Sequence, residues 1–321
     1  MKVKRFLCVV CVLAGLAFAA PRGWAQGVKA AAAPQLAILD TDIGDDIDDA
    51  FALALALQSP ELKIVGITTE FGDTDLRARL VDRYLAAVGR RDIPVLAGVK
   101  TEAKNVFTQK AYAEHAVHTV HGDAVEFLLS QIRKYPGKIT LIAIGPLGNV
   151  KAAIARDPAT FRQLKRVVLM GGSVYRGYGD RPAEPEWNFL CDPAAAKALF
   201  AAGVPVVMAP LDSTQIHMPA EELRELLAHG SPLTDQLALL YEQWAAKNEG
   251  HSPTPTLFDP VAVTYAVRPE LCPAKPLRIE IEANGLSKPV EGEPNAAACL
   301  KADEAGILAF LKERITGESV R

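Results

Sequence analysis

The fold is decided by the stretch Leu36-Ala37-Ile38-Leu39-Asp40-Thr41-Asp42-Ile43-Gly44-Asp45-Asp46-Ile47-Asp48-Asp49. An apolar run followed by a glycine is typical of a buried strand that ends in a tight turn. Residues 50–57 are rich in alanine and leucine and predict a helix. The six aspartates are therefore expected at the carboxyl end of a strand and over the first turn of a helix. In open α/β sheets, ligands bind at this edge.

The spacing of these aspartates allows several carboxylates to converge. Asp40 and Asp42 point to the same side of a strand, and Asp45 and Asp49 share a helix face. Such a cluster repels itself unless a cation neutralises it, and oxygen ligands favour Ca²⁺ or Mg²⁺. The helix dipole accounts for one or two of the acids, but not for six. An EF-hand is excluded because the glycine comes one position early and Phe51 stands where a glutamate is needed.

Composition indicates a globular protein. The chain has 321 residues, half of them hydrophobic, and a net charge of −3. This length and hydrophobicity allow a large core. The small net charge points neither to nucleic acid nor to an anionic membrane as a partner.

Residues 1–25 are predicted to be a signal peptide. Three basic residues within the first five precede an apolar stretch that is short for a membrane span, and Gly23 and Ala25 suit a signal peptidase. We expect cleavage near Ala25, a linker over 26–34, one folded domain over 35–321 and a periplasmic or secreted location.

The cysteines leave two alternatives open. The part after the signal peptide contains Cys191, Cys272 and Cys299, an odd number without metal-binding spacing. A disulfide between Cys272 and Cys299 and three separate thiols are both compatible with this pattern.

Unbroken apolar runs alternate with helical segments along the chain. The runs predicted as strands are Leu36–Leu39, Lys63–Thr68, Ile93–Leu96, Ile139–Ile144, Arg166–Met170 and Val204–Met208. This alternation predicts a single α/β domain with an open, mainly parallel, Rossmann-like sheet and helices on both faces. Near the C-terminus, Leu277–Glu282 and Ala296–Leu300 predict a small antiparallel addition before a final helix.

Asp259 precedes Pro260 at the start of a predicted helix. Aspartate is a good N-cap and proline suits the first helical position, so a capping role is the simplest interpretation. A capping residue can also be a metal ligand.

These motifs resemble the nucleoside hydrolase family, the Ca²⁺-dependent N-ribohydrolases that include the inosine-uridine preferring enzymes. The family begins with Asp-x-Asp-x-Gly and then Asp-Asp-Ala, which resembles residues 40–44 and 48–50 here. Further blocks follow in the family's order: Ile67-Thr-Thr69, Gly145-Pro-Leu-Gly-Asn149, Val168-Leu-Met-Gly-Gly172, Glu186-Trp-Asn188 with Asp192-Pro193, and Asp259-Pro260. The resemblance implies hydrolysis of ribonucleosides to free base and ribose, and a homo-oligomer, either a dimer or a tetramer.

By position, the resemblance also implies the roles of individual residues. Ca²⁺ would be bound by Asp42, Asp49, Asp259 and the backbone carbonyl of Ile144. Asp42 is the expected general base, and Asp48 would contact the ribose diol. The other expected substrate-binding residues are Asp73, Met170, Glu186, Trp187 and Asn188. This allocation suits the chemistry, because Ca²⁺ can take the two hydroxyls and acidify a water while anionic groups stabilise an oxocarbenium-like transition state.

The sequence departs from the family pattern at three places. Asp46 and Ile47 are in effect inserted before the Asp-Asp pair, so Asp45 or Asp46 could take the role of Asp48. Asp73 stands where many members have asparagine. Phe258 stands where the inosine-uridine enzymes have a histidine that protonates the leaving base, which leaves the base preference open.

The family's His-Gly-x-x-Gly loop is matched only at its start, by His121-Gly122. His115, His118 and His121 recur every three residues and predict one side of a helix. Packed or solvated histidines are favoured over a catalytic one, because the sequence offers no carboxylate partner. The other candidate donors to the leaving base are Tyr175, Tyr178 and His251.

Two other functions are compatible with parts of the sequence. A strand followed by Asp-x-Asp also opens the haloacid-dehalogenase-like Mg²⁺ phosphatases, in which Asp40 would be the nucleophile. Against this, Glu186 and Asn188 would have no role in phosphoryl transfer. A non-catalytic envelope protein that binds nucleosides or ribose is the second alternative, although it would not need a cation that activates water.

Overall fold

The structure is a computed structural model that describes residues 33–102, 105–117, 119–248 and 254–318. The predicted signal peptide, most of the predicted linker, His118 and His251 lie outside these ranges. Among the described residues, no helix is both long enough and apolar enough to cross a membrane.

One ten-stranded sheet forms the centre of the fold. Its strands are β1 (Gln35–Thr41), β2 (Leu62–Thr69), β3 (Val95–Ala97), β4 (Gly122–Asp123), β5 (Ile139–Ala143), β6 (Arg166–Met170), β7 (Val206–Ala209), β8 (Ala274–Ile281), β9 (Ser287–Val290) and β10 (Ala296–Cys299). Their order across the sheet is β4-β3-β2-β1-β5-β6-β7-β10-β8-β9. Neighbours from β4 to β10 are parallel, whereas β8 runs antiparallel to both β10 and β9. The prediction of a mainly parallel α/β sheet is therefore confirmed.

Helices connect the strands and cover the sheet. They are α1 (Asp48–Leu57), α2 (Thr74–Ala87), α3 (Lys110–Glu114), α4 (Ala124–Lys134), α5 (Gly148–Arg156), α6 (Pro158–Phe161), α7 (Trp187–Cys191), α8 (Pro193–Phe200), α9 (Leu211–Thr214), α10 (Ala220–Leu227), α11 (Pro232–Lys247), α12 (Pro260–Val267) and α13 (Glu304–Thr316). Two short 3₁₀ helices span Tyr178–Asp180 and Pro269–Leu271.

The two faces of the sheet bury separate hydrophobic cores. Leu39 of β1 packs in a core with residues of α1, α2, α11 and α12, and its neighbour Ile38 packs in a core with residues of α4, α5 and α8. Adjacent strand residues point to opposite faces, so a strand covered on both sides must be apolar throughout. This is why β1, β5 and β6 read as unbroken apolar runs.

The parallel register brings the carboxyl ends of the central strands to one edge. Asp40 of β1 pairs with Ala143 of β5, and Ala143 pairs with Leu169 of β6. The residues that follow these positions, among them Asp42 and Ile144, therefore emerge together at this edge.

The C-terminal addition agrees with the sequence prediction and extends it. β10 is antiparallel to β8, as expected, and it also joins the addition to the parallel sheet through β7. A disulfide links Cys272 and Cys299, whose Cα atoms are 5.5 Å apart. Of the two cysteine alternatives, the structure therefore has the disulfide.

For His115 and His121, the prediction that they lie on one side of a helix is wrong. Helix α3 ends at Glu114, His115 is its C-cap, and His121 directly precedes β4. His121 is buried between two carboxylates of α2, with its ring nitrogens 3.3 Å from Asp75 and 3.0 Å from Asp82. These partners could not be identified from the sequence, because they lie about 40 residues earlier in the chain.

Candidate active site

A pocket of about 570 Å³ lies at the carboxyl edge of the sheet. One side is acidic and is formed by Asp42, Asp45, Asp46, Asp48, Asp49 and Asp259. The pocket is also lined by Ile144, Met170, Glu186, Trp187 and Asn188. Apart from Asp73, the structure thus brings together every site residue expected from the sequence.

Three buried carboxylates form the acidic trio, Asp48, Asp49 and Asp259. One oxygen from each lies within 4.8 Å of the other two. Oxygens that bind one Ca²⁺ ion are at most about 4.8 Å apart, twice a Ca–O distance of about 2.4 Å, and these three oxygens meet that condition. The trio contains Asp49 and Asp259 as predicted, together with Asp48, which was expected to contact the sugar. Asp42 lines the same pocket outside the trio.

Local hydrogen bonds direct these carboxylates toward one another. Thr41 donates its hydroxyl to Asp49 Oδ1 over 2.5 Å, and the backbone N–H of Asp259 donates to Asp48 Oδ2 over 3.3 Å. Asp259 occupies the N-cap position of α12, but its side chain makes no capping hydrogen bond. The simple capping interpretation is therefore wrong, because the Asp259 carboxylate lies beside those of Asp48 and Asp49 and does not bond to the helix.

Burial and mutual repulsion make these acids hard to ionise without a cation. Burial raises the pKa of Asp48, Asp49 and Asp259 well above the ordinary value, and the neighbouring carboxylates raise each pKa further. A divalent cation would reverse both effects, since it favours the charged form of each ligand. The donor set consists of carboxylate oxygens, which suits a hard ion such as Ca²⁺.

Asp42 lies where β1 ends, close to the turn that follows β5. A side chain on Gly145 would place its Cβ only 2.6 Å from Asp42 Oδ1, so this approach requires glycine. Burial raises the pKa of Asp42 to about 7, although the nearby Arg77 guanidinium lowers it. A carboxylate with a pKa near neutrality is suited to accept a proton from water.

Neither Asp45 nor Asp46 belongs to the acidic trio. Asp45 forms a 2.6 Å ion pair with Arg77 and accepts a 2.5 Å hydrogen bond from the Asn105 amide. Asp46 accepts a 2.7 Å hydrogen bond from the backbone N–H of Ile47. Both residues line the pocket, but Asp48 is the one that joins the acidic trio.

A second group of pocket residues is held by hydrogen bonds around Glu186. Its carboxylate accepts backbone N–H bonds from Gly172 at 2.8 Å, Asn188 at 2.8 Å and Phe189 at 3.3 Å. The Asn188 amide in turn donates to the Met170 carbonyl at 3.2 Å. These contacts fix the Glu186 and Asn188 side chains beside Met170 in the lining of the pocket.

Several pocket residues were not assigned to the site from the sequence. They are Asn105, Val106, Thr108, Trp244, Lys247 and Asn248. The first three belong to the polar stretch between β3 and α3, and the others lie at the end of α11. Such residues carry no motif from which a role in the site could be predicted.

Asp73, which was expected to contact the substrate, does not line the pocket. It is the N-cap of α2, where its side chain accepts a hydrogen bond from the Leu76 N–H at 3.2 Å. The carboxylate is 61% exposed and lies 3.6 Å from Lys100. The capping geometry turns the side chain toward solvent.

Asp40, the nucleophile required by the phosphatase alternative, is not accessible. It is 1% exposed, and its Oδ1 accepts hydrogen bonds from Thr68 at 2.6 Å and Asn149 at 2.7 Å. A phosphate ester therefore has no route to this carboxylate, and the geometry gives the phosphatase reading no support.

Comparisons with known proteins agree with this site. The family model described as inosine-uridine preferring nucleoside hydrolase matches residues 37–309. The pyrimidine-specific ribonucleoside hydrolase RihA of Citrobacter koseri is 33% identical over 311 residues, covering 87% of this chain and 97% of that protein. Uridine nucleosidase 1 of Arabidopsis thaliana is 29% identical over 314 residues, covering 87% of this chain and 92% of that protein. The solved structure of the plant nucleoside hydrolase PpNRh1 is similar to this chain, with a TM-score of 0.78 and 26% sequence identity. The matched region covers 89% of this chain and 100% of the PpNRh1 chain.

Proposed function

The chain belongs to the inosine-uridine preferring nucleoside hydrolase family and is a nucleoside N-ribohydrolase, and we propose that it cleaves the N-glycosidic bond with Ca²⁺ bound at the acidic trio. The observation that carries this proposal is the convergence of three buried carboxylates beside Asp42 in one pocket. Asp48, Asp49 and Asp259 would hold the ion, with the Ile144 carbonyl close by. Bound Ca²⁺ would supply positive charge that orients the ribose hydroxyls and makes a water more acidic.

The protein's own groups account for the rest of the reaction. Asp42, which lines the pocket beside the trio, accepts the proton of the attacking water. Glu186 and Asn188 bind the sugar from the other side, and their negative charge and dipoles stabilise the developing positive charge on the ring. Trp187, whose ring lies edge-on to Phe71 at 6.2 Å, bounds the space for the base.

Uridine is the first substrate to test. The two curated relatives described above are named for uridine or for pyrimidine ribonucleosides. The purine nucleosides inosine and adenosine belong in the same panel, since Phe258 replaces the histidine found in the inosine-uridine enzymes.

The decisive experiment measures ribose release by the chain from residue 26 onward, with Ca²⁺ and with EDTA. We expect activity on at least one ribonucleoside, loss of activity in EDTA and recovery when Ca²⁺ is added back. Asp42→Asn should lower kcat by about 10²- to 10⁴-fold, the range for a lost general base. The matched control is Asp235→Asn, an exposed position on α11.

Two outcomes would contradict the proposal. If no ribonucleoside releases ribose in the presence of Ca²⁺ but calorimetry detects nucleoside binding, the chain is a binding protein. If EDTA has no effect on turnover, the acidic trio does not hold a catalytic metal.

We also propose a periplasmic or secreted location. The predicted signal peptide supports this, as does the disulfide between Cys272 and Cys299, because disulfides persist in oxidising compartments. Mass spectrometry of the exported protein should give an N-terminus near residue 26. By family resemblance alone, we propose a homo-oligomer, which light scattering can test.

A further inference from the structure

The side of the pocket that would receive the base has no histidine at position 258. Phe258 lines the pocket there, and its ring can neither donate a hydrogen bond nor transfer a proton. Breaking an N-glycosidic bond leaves negative charge on the departing base, and a donor placed near that charge lowers the barrier. A polar group next to Phe258 could provide this hydrogen-bond donor.

Tyr178 is such a group. It lines the same pocket, and its ring meets the Phe258 ring edge-on, with centroids 6.1 Å apart and an interplanar angle of 87°. Its hydroxyl oxygen accepts a 3.0 Å hydrogen bond from the backbone N–H of Trp187. Within the described ranges, no acceptor is in hydrogen-bond distance of the hydroxyl hydrogen, which leaves it available to a ligand.

The backbone around Tyr178 is firmly held. Its N–H donates to Glu184 Oε1 at 3.0 Å, and the N–H of Gly179 donates to Gln215 Oε1 at 2.7 Å. Gly179 has a φ of 61°, which favours glycine and turns the chain back on itself. The hydroxyl is thus presented by a fixed turn, and it needs little ordering when the substrate binds.

The electrostatic surroundings keep the phenol protonated. Burial raises the pKa of Tyr178 above its ordinary value, and Glu186 and other nearby carboxylates raise it further. At neutral pH the group is therefore a hydrogen-bond donor and not a phenolate.

We propose that the Tyr178 hydroxyl donates a hydrogen bond to the departing base and so stabilises its negative charge in the absence of a histidine at position 258. This inference rests on the proposed function and assigns its leaving-group step. The bond from C1′ to the base nitrogen breaks with its electron pair on the base, water adds to C1′, and the water proton passes to Asp42. The base leaves as an anion bound to the Tyr178 hydroxyl and takes its proton from solvent afterwards.

The test compares uridine with p-nitrophenyl β-D-ribofuranoside, whose leaving group is stable as an anion without a donor. We expect Tyr178→Phe to lower kcat on uridine by about 10- to 100-fold, the effect of losing a hydrogen bond to a charged group. Its kcat on the nitrophenyl riboside should stay within about twofold of the unmodified protein. Tyr175→Phe is the matched control, because Tyr175 is 56% exposed on the same loop and does not line the pocket.

An equal loss on both substrates would overturn the proposal, since it would indicate that Tyr178 orders the sugar site or Trp187. Unchanged turnover of uridine would also overturn it. If Tyr178→Phe does not fold, kcat of the unmodified protein can be measured on a series of 5-substituted uridines. A steep dependence of kcat on the acidity of the departing base would mean that no donor assists its departure, and would overturn the proposal. Inactivity of the unmodified protein on every substrate would instead count against the proposed function itself.

Discussion

Arg77 is a buried residue that holds the acidic loop, residues 42–45, in place. Its side chain is 2% exposed, and the guanidinium donates to the carbonyls of Asp42, Ile43 at 2.9 Å and Phe71 at 2.7 Å, as well as to Asp45. The buried Arg77 guanidinium thus holds the backbone at Asp42 and Ile43 next to that at Phe71. Bidentate and multiple hydrogen bonding of this kind is what arginine provides and lysine does not.

Arg77→Met is expected to destabilise the protein by about 3–5 kcal/mol, because it leaves Asp45 as a buried charge without its partner. Urea denaturation of the metal-free protein measures this loss. The double variant with Asp45→Asn should be more stable than the sum of the two single losses predicts, since the neutral amide no longer needs a cation. Additive losses would show that the two side chains are not energetically coupled.

Asp73→Asn tests whether Asp73 contacts the substrate. Because Asp73 caps α2 at the surface and asparagine caps helices about as well, kcat/KM should change by less than about twofold. Steady-state kinetics with the best ribonucleoside gives the answer. A large rise in KM would indicate that Asp73 contacts the substrate.

Residues of the site were predictable where a family motif marks them. Asp49, in the first turn of α1, and Asp259, directly before α12, came together as expected from those motifs. Asp73 follows strand β2, but helix α2 begins directly after it, and the Asp73 side chain caps that helix. Arg77 carried no signal at all, since an arginine in a helix is usually at the surface.

At the scale of elements, the parallel core was more predictable than its borders. Long apolar runs identified β1, β2, β5 and β6 because burial on both faces leaves a strong pattern. β4 has two residues and β9 has four, including Pro289, which is too little sequence for a pattern to emerge. Their pairing depends on neighbours that are distant in sequence, and this information is not local.

The disulfide joins the segment before β8 to the end of β10, across 27 residues. Replacing both cysteines by serine should lower the free energy of unfolding by about 2–4 kcal/mol, as for other disulfides that close loops of this size. Because the bond lies away from the residues that line the pocket, kcat at room temperature should not change. Thermal unfolding and steady-state assays on the same samples check both statements. A fall in kcat with unchanged stability would contradict this account.

Across the whole molecule, the buried acids make the stability depend on pH. Burial raises the pKa of Asp40 from 3.8 to about 6, of Asp42 from 3.8 to about 7 and of Glu186 from 4.5 to about 7. Between about pH 4 and pH 7 the folded chain therefore binds more protons than the unfolded chain. The free energy of unfolding must fall as the pH rises through this window.

In EDTA, we expect the Tm to decrease from about pH 5 to about pH 8, as this linkage requires. Ca²⁺ should raise the Tm more at the higher pH, because ligands must lose their protons before they bind the ion. Thermal scans over this range, with and without Ca²⁺, test the prediction. A Tm that increases with pH in EDTA would mean that the acids are not held in the protonated form.

Both ends of the described domain meet on the side of the sheet away from the pocket. The N–H of Gln35 at the start of β1 donates to the carbonyl of Glu61 at 2.9 Å, and Arg314 near the end of α13 forms a 2.6 Å ion pair with the Glu61 side chain. Glu61 directly precedes β2, so this junction belongs to the amino edge of the strands. A fluorescent reporter or a solid support attached next to Gln35 or Arg314 would consequently lie at the opposite edge of the sheet from the pocket, and the immobilised protein should remain accessible to nucleosides.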